Sequence, residues 1–61
     1  MTIKELRKAN GMQQREVAEL LGVTQGFYSM LELGRRKLTV DYAKKIGEIY
    51  HIDWWLLFGE A

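Results

Sequence analysis

Apolar residues recur along this chain at three- and four-residue intervals, and residues that start or stop helices bracket each run. Thr2 followed by Glu5 has the form of a capping box, and the helix it opens turns Ile3 and Leu6 inward. Asn10-Gly11 ends that helix, since both residues tolerate the left-handed backbone of a helix stop. A second helix opens at Gln13 or Gln14, carries Val17, Ala18 and Leu21 on one face, and closes at Gly22. Thr24 caps a third, which runs to about Leu33 and stops at Gly34, with Tyr28 and Leu31 inward. Thr39 caps a fourth, on which Val40, Ala43, Ile46, Ile49 and Tyr50 recur about every 3.6 residues. Gly47 inside it costs about 1 kcal/mol relative to Ala, which points to close approach of a neighbouring backbone. Asp53 starts a last short helix over Trp54 to about Leu57, expected to bury Trp54, Leu57 and Phe58 and to leave Trp55 and Leu56 outside. The pattern predicts an all-α, compact five-helix domain spanning residues 1–61, with no repeat or linker.

Composition narrows the chemistry. The chain has 61 residues, 48% of them hydrophobic, with no Pro and no Cys. Packed helices must therefore supply the stability, without disulfides or a cysteine zinc site. His51 is the sole histidine, so no His-rich metal site exists either. No apolar run approaches the ~20 residues that cross a bilayer, and the charged, amphipathic N-terminus is unlike a signal peptide. A whole, cytoplasmic protein is the expectation.

Net charge is only +1, but its distribution is uneven. Lys4, Arg7, Lys8 and Arg15 stand against Glu5 alone in residues 1–15, and Arg35, Arg36 and Lys37 against Glu32 in residues 24–38. Glu16 and Glu19 lie between these stretches, and Asp41, Glu48, Asp53 and Glu60 outweigh Lys44 and Lys45 after them. Positive charge thus flanks the second and third helices, which predicts one basic face.

Residues 14–34 carry the functional signal. Two short helices joined by a sharp turn form the unit that lays one helix across a DNA backbone and the next in the major groove. Ala18 lets the helices approach closely, Gly22 supplies the positive φ of the turn, and Val23 fills the space beneath it. Gly26, Ser29, Met30 and Leu33 form the stripe of the third helix opposite Tyr28 and Leu31.

Ile3-Lys4-Glu5-Leu6-Arg7, Gly11-Met12, Gln14, Val17-Ala18, Leu21-Gly22-Val23-Thr24-Gln25, Tyr28-Ser29, Leu31-Glu32, Gly34 and Ile52-Asp53 together carry a resemblance. Over nearly its full length the chain resembles the Cro and lambda-repressor type of helix-turn-helix domain. The resemblance implies a five-helix domain that binds operator DNA as a symmetric homodimer and represses or regulates transcription. It implies DNA contacts at Gln14, on a phosphate, and at Gln25, where an amide can bond adenine N6 and N7, with the two amides able to bond each other. It also implies a structural ion pair, Arg7 with Glu32, and a glycine-like conformation at His51.

Base readout is accordingly placed on Gln25, Gly26, Phe27, Ser29 and Met30, and phosphate contact on Gln14, Arg15, Arg35, Arg36 and Lys37. Two departures stand out. The outward face of the third helix has no Arg, Lys or Asn, so Met30 or Phe27 would meet thymine methyl groups instead. Trp55 and Leu56 stand where polar residues are usual in the family, which predicts a homodimer interface. The rival expectation is a protein-interaction module that keeps the fold with little DNA binding, as an antitoxin or anti-repressor partner would. No nucleophile–base pair, Gly-rich phosphate loop or metal-ligand pattern exists, so no catalytic residue, cofactor or metal is expected.

Overall fold

A computed structural model describes residues 2–58. Met1 and Glu60 lie outside the described residues. Four α-helices follow one another, α1 (Ile3–Ala9), α2 (Gln14–Leu21), α3 (Gln25–Leu33) and α4 (Val40–Tyr50), before a 3-10 helix over Trp54–Phe58. No strand occurs among the described residues.

The helix ends are set by local chemistry. Thr2 and Glu5 form a reciprocal capping box on α1, the Glu5 amide donating to Thr2 Oγ1 at 3.1 Å and the Thr2 amide to Glu5 Oε1 at 2.9 Å. Thr24 caps α3 by accepting from the Phe27 amide, and Thr39 caps α4 by accepting from the Tyr42 amide. Each cap satisfies an amide that the helix itself leaves without an acceptor, worth about 1 kcal/mol. Gly22 closes α2 at φ 75°, and the Val23 amide reaches back 3.0 Å to the Ala18 carbonyl. That left-handed residue makes the next helix leave at a sharp angle.

Ile3, Val17, Ala18, Leu21, Tyr28, Leu31, Ala43, Ile46 and Leu57 form one buried apolar cluster. The backbones pack most closely between α2 and α3, between α2 and α4, and between α4 and the 3-10 helix. Gly47 makes the last of these approaches feasible. A β-carbon there would lie 2.8 Å from the Ile52 carbonyl oxygen and 3.2 Å from Trp54 Cβ. The backbone approach expected from a glycine inside a helix is therefore present, between α4 and the segment leading into the 3-10 helix.

Two apolar positions depart from the pattern, and His51 follows its expectation. Val40, which shares the 3.6-residue period of the fourth helix, is exposed at the first position of α4. Phe58, expected to be buried with Trp54 and Leu57, is 46% exposed, while Leu57 is buried and Trp54 partly so. The reason is the winding. A 3-10 helix has about three residues per turn, so Trp54 and Leu57 share a face while Phe58 rotates beyond it, toward the side of Trp55. His51 ends α4 at φ 58° and ψ 46°, a left-handed non-glycine residue.

Candidate nucleic-acid interface

The α2–α3 unit is held from below by Val17, Ala18, Leu21, Tyr28 and Leu31, all buried. With those positions inward, the opposite stripe of α3 is turned to solvent. Gln25, Gly26, Met30 and Leu33 are exposed, and Ser29 is half-buried between them. At Gly26 a β-carbon would meet nothing within 4 Å, so this first turn of α3 offers an unobstructed backbone. Phe27 has a second neighbour besides that stripe. It is half-buried against the core, its ring 5.7 Å from that of Tyr42 on α4. An aromatic ring that finds an aromatic neighbour is stabilised there by burial.

Gln14, the first residue of α2, behaves differently from the expected amide–amide pairing with Gln25. Its Nε2 donates to Glu32 Oε1 at 2.9 Å, across from α2 to the end of α3. A carboxylate is a stronger acceptor than a neutral amide, so Glu32 wins. The same carboxylate is gripped from α1. Arg7 Nε donates to Glu32 Oε2 at 2.6 Å, Nη2 to Oε1 at 3.3 Å, and Nη1 to the Met12 carbonyl at 3.0 Å. The two side chains are 12% and 3% exposed, making this a largely buried, two-pronged ion pair.

Burial raises the Glu32 pKa, but hydrogen bonds from Arg7 and Gln14, with the Arg7 charge, outweigh it and hold the group below its ordinary value. Arg7 is raised in turn, chiefly by its hydrogen bond to Glu32. The Tyr28 hydroxyl is buried near this cluster without a hydrogen bond of standard geometry, and burial, then the Glu32 carboxylate, keep it protonated. Chain separations of 18 and 25 residues put these bonds beyond any local spacing rule. The Gln14–Glu32 bond had no sequence signal.

Arg15 is exposed on α2, and Arg35, Arg36 and Lys37 are exposed just beyond α3. The Arg35 and Arg36 amides both reach the Met30 carbonyl, at 2.9 and 3.3 Å, so the basic connector starts as the C-terminal cap of α3. Cations there also meet the negative end of the helix dipole. At the far end of the chain, Trp55 is 56% exposed beside exposed Leu56 and Phe58.

A helix-turn-helix family model matches residues 3–54, which include every helix of the α2–α3 unit and its buried support. The chain belongs to the Cro/lambda-repressor-type helix-turn-helix family. It is 39% identical over 59 residues to a protein of Bacillus subtilis (strain 168) described as an uncharacterized HTH-type transcriptional regulator, YqaF. That match covers 97% of this chain and 78% of the relative. No solved structure gives a significant match. As a member of this family the chain is a non-enzymatic, DNA-binding transcriptional regulator. No group of three or more His, Cys, Asp or Glu placed to hold a metal occurs among the described residues, and no helix there is long and apolar enough to cross a membrane.

Proposed function

We propose that this regulator is a repressor that binds a palindromic operator as a homodimer, with α3 of each subunit in the major groove. The exposed stripe of α3, backed by a fully buried opposite face, carries the reading. Gln25 bonds an adenine edge, Ser29 supplies a hydroxyl, Met30 packs on a thymine methyl, and Gly26 lets the backbone come close. Gln14 and Arg15 at the start of α2, with Arg35, Arg36 and Lys37, meet phosphates and fix the register. Trp55 and Leu56 form the isologous dimer interface, since a self-complementary apolar patch anchored by Trp suits a twofold arrangement. A dimer sets its two recognition helices about 34 Å apart. Occupancy of such a site blocks transcription by exclusion.

A second reading has its own observation. Met30 and Leu33 are exposed apolar residues on a stripe that lacks Arg, Lys and Asn, a surface also suited to protein. Selection of bound duplexes from a random pool separates the two. The repressor reading expects an enriched palindrome whose half-sites are about one helical turn apart. Absence of binding to any duplex at low salt refutes it and favours the protein-interaction module. Sedimentation of Trp55→Lys tests the dimer interface, which an unchanged dimer population would rule out.

A further inference from the structure

We infer that Glu32, neutralised by Arg7, is a positioning residue for DNA binding that sets the Gln14 amide in its phosphate-contacting orientation. The inference rests on the reading of Gln14 as a phosphate contact. Gln14 Nε2 carries two hydrogens. One is engaged by Glu32 Oε1 at 2.9 Å, and the second has no protein acceptor among the described residues. A planar amide anchored by one N–H has the other fixed in direction, and this one sits at the first residue of α2. The backbone amides of Gln14 and Arg15 are likewise without intrahelical partners there, as at any helix start. Side chain and backbone then present donors at one helix end.

The ion pair is needed for this geometry to favour DNA. A bare carboxylate within hydrogen-bond distance of a phosphate-contacting amide would repel the phosphate. Arg7 cancels that charge with two hydrogen bonds and is itself held by the Met12 carbonyl, so Glu32 can act as a fixed acceptor. A glutamine left free at a helix start must lose its side-chain rotations when DNA arrives; an anchored one has lost them on folding. The Arg7–Glu32 pair therefore serves the interface as well as the fold.

The test is a mutant cycle read by fluorescence anisotropy with a short random-sequence duplex at low salt. Gln14→Ala should bind about tenfold more weakly, the loss of one hydrogen bond to a charged group. The paired change Arg7→Met with Glu32→Leu keeps net charge and replaces a buried ion pair by apolar groups, a change proteins often tolerate. It should bind about fivefold more weakly, from the restored side-chain freedom, with the dependence on salt unaltered. Combining all three substitutions should give no further loss beyond Gln14→Ala. Multiplying effects, or wild-type affinity for the folded paired variant, overturns the inference alone. Wild-type affinity for Gln14→Ala overturns both the inference and the role of Gln14 at a phosphate. If the paired variant fails to fold, nitrogen relaxation of the wild-type Gln14 side-chain amide decides. Order close to that of the backbone, about 0.85, supports anchoring, and a value below about 0.6 overturns it.

Discussion

Replacing Gly47 by Ala should destabilise the domain even though it improves the helix. Alanine is favoured over glycine in a helix interior by about 1 kcal/mol. Against that, its β-carbon would sit 2.8 Å from the Ile52 carbonyl oxygen, 3.2 Å from Trp54 Cβ and 3.4 Å from Trp54 Cα. Most of these neighbours are backbone, and the Ile52 amide is itself bonded to the Gly47 carbonyl at 3.0 Å, so the segment cannot slide away without straining that bond. Overpacking of this kind costs about 1–3 kcal/mol, and a weakened hydrogen bond adds about 1 kcal/mol. The net expectation is a loss of about 2 kcal/mol, or a fall in Tm of roughly 8–16 °C for a domain of this size. Thermal unfolding followed by far-UV circular dichroism measures it, and the combined fluorescence of Trp54 and Trp55 reports the disturbed neighbourhood. Gly26→Ala is the control. Its β-carbon meets nothing within 4 Å, so the same substitution should stabilise by up to about 1 kcal/mol. A Gly47→Ala variant as stable as the wild type would refute the reasoning, because the neighbouring backbone would then have yielded at no cost.

Acid should expose the Glu32 contribution. Its pKa is held below the ordinary value in the folded state, so the stability it adds is complete above the unfolded value of about 4.3 and is lost as pH falls through the folded one. Glu5, lowered chiefly by the Thr2 backbone amide, acts in the same direction. Denaturant midpoints should therefore decline below about pH 5, and Glu32→Gln should be less stable at neutral pH with a shallower decline; an equally steep one would contradict the assignment. His51→Gly removes a left-handed non-glycine residue at φ 58° and should raise stability by about 0.5–1 kcal/mol after the added freedom of the unfolded chain is deducted, as chemical denaturation would register. Arg35→Ala, Arg36→Ala and Lys37→Ala should each reduce the slope of log affinity against log salt by about 0.9 for every phosphate that the side chain neutralises; titrations at several salt concentrations with unchanged slopes would remove that residue from the interface.

Helix limits were legible in the sequence because their causes are local. Thr24 and Gly34 bracket α3 within the reach of one cap or one turn, and the alternation of buried and exposed positions between them follows from helical period alone. Leu57 and Phe58 show where this stops. An α-helical period would bury both, and the tighter 3-10 winding exchanges the fate of the second residue. Phe27 illustrates another gap: its packing against Tyr42 depends on where α4 docks, which no pattern within α3 encodes. Around the α2–α3 unit, the buried support and the Arg7–Glu32 pair were legible, and the further bond from Gln14 was not. Gln14 and Glu32 each stood out, but their bond depends on how α3 returns past the start of α2.

The Arg7–Glu32 pair also bears on how the molecule opens. α1 has less backbone packing than the other helices and sends only Ile3 fully into the core, with Leu6 partly buried. By apolar area it would be the first segment to peel away. Yet lifting α1 strands the Glu32 carboxylate, 3% exposed, with Gln14 alone for company. Breaking a buried pair costs about 3–5 kcal/mol when the remaining charge stays buried; lifting α1 admits water to Glu32 and costs less, but still a sizeable part of the stability of a small domain. Partial detachment is thereby opposed, and the amides of α1 should exchange more slowly with solvent than their sparse packing alone would give. A single charge at the end of α3 thus ties the first helix into the cooperative unit.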